Sequence, residues 1–438
     1  MIEAVTMRPF RFLQFSDVHL DSPLFSSRLA LPPEKREQRR REIKALIPEA
    51  CRLARERGVD AVLIPGDLWD DEAVSGDTVN MLIEHFRSIA PIPVYIAPGN
   101  HDFYSPGSKY DAAFLRGRGL PSWPGNVHIF SEGEFRSVIH SYRPDVAITG
   151  LAFRRNVRTH ERLLAPKIPR PNTPLTILLF HGSRLGWERF ESRTKMITAP
   201  FSEEELLAQG FSYAAIGHYH SYSDIRDGSG AIRGAYAGCP AGQALDETGE
   251  KFVLVGEVSP GGGVPSEKLE KIVLDSRRII RVTVEITGLL HSEAVRRKVI
   301  EGVESSGARG EDLLYVEVRG RYPKGEIPDL GFDPFADRFF HWEVAMALQP
   351  DHDLGQYWRD PGKTATTEGR FVQEMLRRIQ AAPSEEERSR YIRALYYGLD
   401  AFTFGRIEPR YEGLCHLGDA IAGFVEGREP DPPGRGGT

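Results

Sequence analysis

Five short polar motifs punctuate the first half of this chain, and each closes an apolar run with the composition of a buried strand. Asp17-Val18-His19 follows residues 10–15, Gly66-Asp67 follows 59–64, and Gly99-Asn100-His101-Asp102 follows 94–97. His181-Gly182 follows 176–180, and Gly217-His218-Tyr219-His220 follows 213–216. Helical spacing lies between several of these runs, at 33–57, at 78–89 and at 202–209, where Ser202 and Glu205 spell a capping box. Pro48 is expected to kink or break the first of these helices. Further strand signals stand at 127–130, 146–153, 235–238 and 252–258. Strands alternating with helices, with polar groups at the strand ends, predict α/β architecture. The chemistry should then gather beyond the carboxyl edge of a sheet.

The motifs offer Asp17, Asp67, Asn100 and the imidazoles of His19, His101, His181, His218 and His220. In an extended backbone Asp17 and His19 share one side, as do His218 and His220, so each pair can reach one small volume. Asp67, alone in its motif, suits a carboxylate bridging two cations, and Asn100 adds an oxygen without adding charge. This mixture of oxygen and nitrogen donors suits a pair of Mn²⁺, Fe²⁺ or Zn²⁺ ions. Such a centre should attract an anion and acidify water. Any one motif alone is a common loop device. Their order, strand-end placement and completeness are what point to metal chemistry.

At 438 residues the chain should hold two or three domains. Its 56 basic and 62 acidic side chains give a formal charge of −6, which excludes a protein that binds polyanions by bulk charge. Cys51, Cys239 and Cys415 form no metal-binding spacing or disulfide framework, which predicts a reducing, cytoplasmic setting. The start of the chain lacks the apolar core of a secretory signal, and no run approaches the ~18 apolar residues of a membrane span. A Gly-rich break at 260–265 closes the first domain, expected over 1–260. A small β-α-β lobe is expected over 276–325, with a strand at 279–286, a helix at 292–303 and a strand at 313–321. From 335 to 425 the pattern reads as helical, at 339–348, 369–381, 384–402 and 417–425, before a disordered Pro/Gly-rich tail at 426–438.

The ordered motif set resembles the calcineurin-like metallophosphoesterase superfamily over roughly residues 10 to 258. The resemblance implies a four-layer α-β-β-α sandwich. It assigns Asp17, His19, Asp67 and His220 to one metal and Asp67, Asn100, His181 and His218 to the other. It makes His101 the group that protonates or stabilises the leaving oxygen, with Asp102 orienting it. Within the superfamily, Ser16 to Pro23 (Ser-Asp-Val-His-Leu-Asp-Ser-Pro) and Gly66-Asp67-Leu68-Trp69-Asp70 are similar to bacterial DNA repair exonucleases of the SbcD and YhaO type. These are relatives of the nuclease subunit of the double-strand-break repair complex. So are Ala199-Pro200-Phe201-Ser202 and Gly210-Phe211-Ser212-Tyr213. The β-α-β lobe then matches a capping domain that helps position DNA. Two departures stand out. Ala241-Gly242-Gln243-Ala244-Leu245 replaces a basic stretch before Asp246-Glu247-Thr248-Gly249, and Asp70 stands where some relatives have His.

The resemblance implies a two-metal DNA exonuclease, and endonuclease as well, with Mn²⁺ as the expected ion. It also implies a homodimer coupled to an SMC-like coiled-coil ATPase of the SbcC/YhaN type, without membrane attachment. Candidate DNA contacts are Arg154, Arg155 and Arg158 in one cluster and Arg189, Arg193 and Lys195 in another, with Trp187 and Phe190 as stacking candidates. Arg39, Arg40 and Arg41 are interleaved with Glu34, Glu37 and Glu42 and read as a solvated helix face. The rival readings are a phosphodiesterase or phosphatase acting on small nucleotides, and a non-catalytic subunit that binds DNA ends.

Overall fold

The computed structural model describes residues 8–24, 31–155, 162–186, 196–260, 262–289, 291–322, 335 and 337–404. The chain divides into two compact units, Met1–Ile279 and Ile280–Thr438.

Unit one is built on two six-stranded sheets. The first contains β1 (Phe10–Gln14), β2 (Ala61–Ile64), β3 (Val94–Ile96), β4 (Val127–Ile129), β11 (Phe252–Val258) and β12 (Leu269–Val273), in the order β12-β11-β1-β2-β3-β4. The second contains β5 (Arg136–His140), β6 (Arg143–Gly150), β7 (Leu175–His181), β8 (Tyr213–Gly217), β9 (Ser223–Arg226) and β10 (Ile232–Tyr236), in the order β5-β6-β7-β8-β10-β9. Their inner faces share one core. Phe10, Phe12, Leu63 and Tyr95 from the first sheet meet Ile148, Ile177, Leu179 and Tyr213 from the second. Period-two alternation turns Leu13, Val62 and Ile64 to the other side of the first sheet, under the helices Pro33–Glu56 and Gly76–Ser88. Leu178, Phe180 and Ile216 do the same on the second sheet, where Leu206 of the helix Glu203–Gln209 covers them. This is the expected four-layer α-β-β-α sandwich. The capping box of Ser202 and Glu205 is present.

Three expectations need correction here. Helix Pro33–Glu56 runs unbroken through Pro48, because its buried face (Ile43, Leu46, Ile47, Ala50, Cys51) packs along the sheet and outweighs one lost hydrogen bond. Arg39 is not solvated: it is 1% exposed and grips Asp275 with two contacts of 2.6 Å. The first unit does not end at 260. β12 pairs antiparallel with β11, and the Asp275 contact ties the segment beyond the Gly-rich break to the long helix.

Unit two holds β13 (Ile279–Glu285), the helix Ser292–Ser305, β14 (Leu313–Tyr322) and β15 (His341–Pro350), in the sheet order β13-β14-β15. β15 was expected as a helix. Its Ala345-Met346-Ala347-Leu348 run favours helix locally, but Trp342, Val344, Met346 and Leu348 alternate toward the core, and all ten residues pair in parallel with β14. The helical region therefore begins at Gln356, not at 335. Helices Thr367–Ala381 and Glu385–Phe404 pack through Val372, Leu376, Ile379, Leu395 and Leu399. The helix expected at 417–425 and the tail lie outside the described residues. No described helix is long and apolar enough to cross a membrane.

Candidate metal centre

The loops after β1, β2, β3, β7 and β8 meet at one end of the two sheets. The first two are laced together: Asp17 N–H donates to the Gly66 carbonyl and His19 N–H to that of Asp67, both at 3.1 Å. Asp17, His19, Asp67 and His218 all carry positive φ (54°, 46°, 53° and 114°). The i, i+2 pairs therefore converge through left-handed turns and not, as expected, through extended backbone. Such backbone costs about 1–3 kcal/mol per residue and clusters where function demands it. Two glycines permit the close approach. A Cβ on Gly99 would lie 2.3 Å from Asp67 Oδ1, and one on Gly217 would lie 2.0 Å from the Pro65 carbonyl.

The outer contacts of the histidines fix where their lone pairs point. His19 Nδ1 lies 2.7 Å from Asp70 Oδ1, and His220 Nδ1 bonds Glu247 Oε1. Ionised carboxylates only accept, so both Nδ1 atoms carry the proton and both Nε2 atoms carry lone pairs. Those two Nε2 atoms face each other at 3.2 Å. His181 donates from Nδ1 to the Pro65 carbonyl at 2.9 Å, which aims its Nε2 lone pair at Asn100 Oδ1 (3.0 Å) and Asp67 Oδ2 (3.3 Å). His218 donates from Nε2 to the Met196 carbonyl at 3.1 Å, which leaves its lone pair on Nδ1. Acceptors thus face acceptors, an arrangement that requires a cation or a proton between them. Protons serve in the metal-free state. Burial opposes charge on His19, but Asp70, Asp67 and Asp17 outweigh it and hold its pKa up to about 9. His181 is likewise held up to about 9, against burial, by Asp67 and Asp17. Donor atoms of Asp17, His19 and His220 lie within 4.8 Å of one another, and so do those of Asp17, Asp67 and His181.

Residues 10–222 match the family model of the calcineurin-like phosphoesterases. This part of the chain is a calcineurin-like metallophosphoesterase domain. The chain is 29% identical over 258 residues to the uncharacterized metallophosphoesterase YhaO of Bacillus subtilis (strain 168), a match covering 57% of this chain and 58% of YhaO. Among solved structures, a dimetal phosphatase from Danio rerio is similar at 13% identity and TM-score 0.37, over 58% of this chain and 94% of that one. The purple acid phosphatase PPD1 of yellow lupin (Lupinus luteus) is similar at 16% identity and TM-score 0.27, over 49% of this chain and 38% of that one.

Calcineurin-like metallophosphoesterases are metal-dependent hydrolases with a dimetal centre, and the donor set of this domain fits one. Asp17, His19, Asp67 and His220 would hold one ion, and Asp67, Asn100, His181 and His218 the other. Every one of these seven side chains is present at the converging loops.

Asp102 does not take the role expected of it in the phosphoesterase domain. It is fully buried, and its carboxylate accepts from the backbone N–H of Asp67 (3.0 Å), Leu68 (2.8 Å) and Gly99 (2.6 Å) and from the Tyr110 hydroxyl (2.8 Å). It clamps the two loops that carry Asp67 and Asn100. Burial and the neighbouring Asp67 push its pKa up to about 6. The partner of His101 is Asp70, whose Oδ1 lies 3.1 Å from His101 Nδ1. Burial disfavours the Asp70 charge, but its bonds to His101 and His19 hold it well below the usual carboxylate range.

Sequence reasoning missed the roles of Asp70 and Glu247, although both stand inside quoted motifs. Of the basic candidates, Arg154 and Arg155 are exposed. Arg154 donates to the Ser131 carbonyl and stacks over Tyr104, its guanidinium carbon 5.3 Å from the ring centre. Arg158, Trp187, Arg189, Phe190, Arg193 and Lys195 lie outside the described residues.

Proposed function

We propose that this chain is a two-metal phosphodiesterase that hydrolyses DNA at its ends as an exonuclease, with endonuclease activity as well. The observation that carries the hydrolytic reading is the set of buried lone pairs converging beside one exposed imidazole. His101 has 48% of its side chain exposed, packs edge-on to His19 with ring centres 4.9 Å apart, and turns Nδ1 to Asp70. Its Nε2 then serves as proton donor to a leaving oxygen, and Asp70 stabilises the charged ring that must exist beforehand. When bound, two divalent ions supply Lewis acidity toward the phosphoryl oxygens and toward attacking water. Asp102 keeps Asp67 and Asn100 in place, and the left-handed turns hold Asp17 and His19.

DNA as substrate is supported by the resemblance of the first two motifs to DNA repair exonucleases and by a second unit with a small αβ sheet following the phosphoesterase domain. Mn²⁺ is the proposed ion, and a homodimer working with an SMC-like coiled-coil ATPase is the proposed assembly. One observation favours small nucleotides instead. Arg154, Arg162 and Arg184 make contacts within the protein, to Ser131, Glu205 and Glu203, and the chain carries a net −6.

The deciding experiment is cleavage of end-labelled duplex and single-stranded DNA with Mn²⁺, Mg²⁺ or chelator. Asp67→Ala and His101→Ala serve as controls, and bis-p-nitrophenyl phosphate is assayed in parallel. Mn²⁺-dependent shortening lost in Asp67→Ala supports the nuclease reading. Turnover of the small diester with DNA untouched, also after addition of a coiled-coil ATPase encoded beside it, refutes it in favour of the nucleotide reading.

A further inference from the structure

We infer that the turn around residues 239–247 is a dedicated outer support for one of the two ions, the one held by Asp17, His19 and His220, with Glu247 as its principal positioning residue. This rests on the dimetal reading of the centre and not on the identity of the substrate. The turn lies beyond the residues that match the family model, 10–222. Hydrogen bonds out of the turn reach His220 and Val18, and a further one, from Arg39 to the Gly242 carbonyl at 2.9 Å, ties it to the long helix.

Glu247 is 7% exposed and 27 positions downstream of His220, whose Nδ1 it holds through Oε1. Its other oxygen accepts from the backbone N–H of Gln243 at 2.6 Å and of Ala244 at 3.2 Å, with Cys239 Sγ at 3.7 Å. The carboxylate is therefore fixed by the backbone before it meets the imidazole, and it dictates both the tautomer and the angle of that ring. The main chain of the ligand is gripped as well: Cys239 N–H donates to the His220 carbonyl at 3.1 Å, and Lys251 Nζ lies 3.3 Å from the same oxygen. From the other side of the turn, Gln243 Nε2 donates to the Val18 carbonyl at 2.6 Å, between Asp17 and His19. The ligands of the second ion have different supports: Pro65 holds His181 and Met196 holds His218. A carboxylate behind a ligating imidazole raises its basicity and orders it, and losing such a partner costs about 10–100-fold in metal affinity. Here that loss falls on one ion only.

The test counts metal instead of turnover. Mn²⁺ binding to the purified full chain is measured by calorimetry and by metal analysis after dialysis, for wild type, Glu247→Gln and Gln243→Ala. Asn100→Ala, which removes a ligand of the second ion, is combined with each. Two binding steps are expected in wild type, with one of them weakened about 10–100-fold in Glu247→Gln and the other unchanged. Gln243→Ala should weaken the same step to a smaller degree. Asn100→Ala should keep one ion, and Asn100→Ala with Glu247→Gln should keep none tightly. Equal weakening of both steps, or no change in either, overturns the inference. If Glu247→Gln fails to fold, Gln243→Ala decides alone. A wild-type protein that binds no second ion would instead refute the dimetal reading.

Discussion

Metal uptake by this centre should expel protons, and the number expelled can be worked from its geometry. In the metal-free protein His19 and His181 have pKa values held up to about 9, so at pH 7 both rings are almost fully charged. Each ion must evict these protons to reach the Nε2 lone pairs. The eviction costs about 3 kcal/mol per ring at pH 7, or roughly 100-fold in affinity for each. Calorimetry with Mn²⁺ at pH 7, in two buffers of different protonation enthalpy, should therefore show close to two protons released from the rings. Apparent affinity for each ion should rise about tenfold between pH 7 and pH 8, and about 100-fold for the two ions together. Water bound by the ions can release a proton as well, so a variant is needed to separate the sources. Asp70→Asn removes the hydrogen bond and charge that hold up His19 while leaving all seven proposed ligands intact. Its release should fall by about half a proton or more, and the pH dependence should flatten. Two imidazoles of ordinary pKa would release only about half a proton together at pH 7. A release that small, unchanged in Asp70→Asn, would refute the lone-pair argument.

Three further outcomes follow from the same contacts. His19 and His181 titrate above their ordinary value of 6.5, so their contribution to stability is complete below pH 6.5 and lost as pH rises through about 9; the melting temperature of chelator-treated protein should fall across that window, and metal-loaded protein should not follow it. Gly217→Ala places a Cβ 2.0 Å from the Pro65 carbonyl, so β8 must move from the loop before Asp67, and metal analysis should show loss of bound ions in protein that still folds by circular dichroism. Arg39→Met strands the buried Asp275 and should cost about 3–5 kcal/mol in urea unfolding, most of it recovered in the double variant with Asp275→Leu.

Much of the sandwich and its converging loops was legible because two periodicities coincide there. The apolar strands are continuous, and each ends on a residue type that has little reason to sit beside a core unless chemistry needs it. What stayed hidden shares a physical feature: it depends on partners distant in sequence. Arg39 sits among glutamates and reads as solvated, and only Asp275, 236 positions away, makes it buried. β15 reads as a helix because Ala and Met favour one locally, and only a parallel neighbour with its hydrogen bonds pulls it into a strand. The edge strands β5, β9 and β12 are short and half polar, so no run announces them.

The same logic explains why the proposed metal ligands stand out in the sequence and their supports do not. A ligand is constrained by its own chemistry, so Asp, Asn or His must stand at a fixed strand end. A support is constrained only by the atom it must reach. Asp102 and Asp70 are the same residue type, one directly after His101 and the other three positions after Asp67, and adjacency in sequence favours Asp102 as the partner of His101. The fold reverses that choice. Asp102 turns inward, where three backbone N–H groups and the Tyr110 hydroxyl converge on its oxygens. Asp70 sits on the outer side of the second loop and reaches His19 and His101 through one oxygen. Sequence distance therefore located the chemistry, while the assignment of each carboxylate required knowing which backbone donors it must satisfy first.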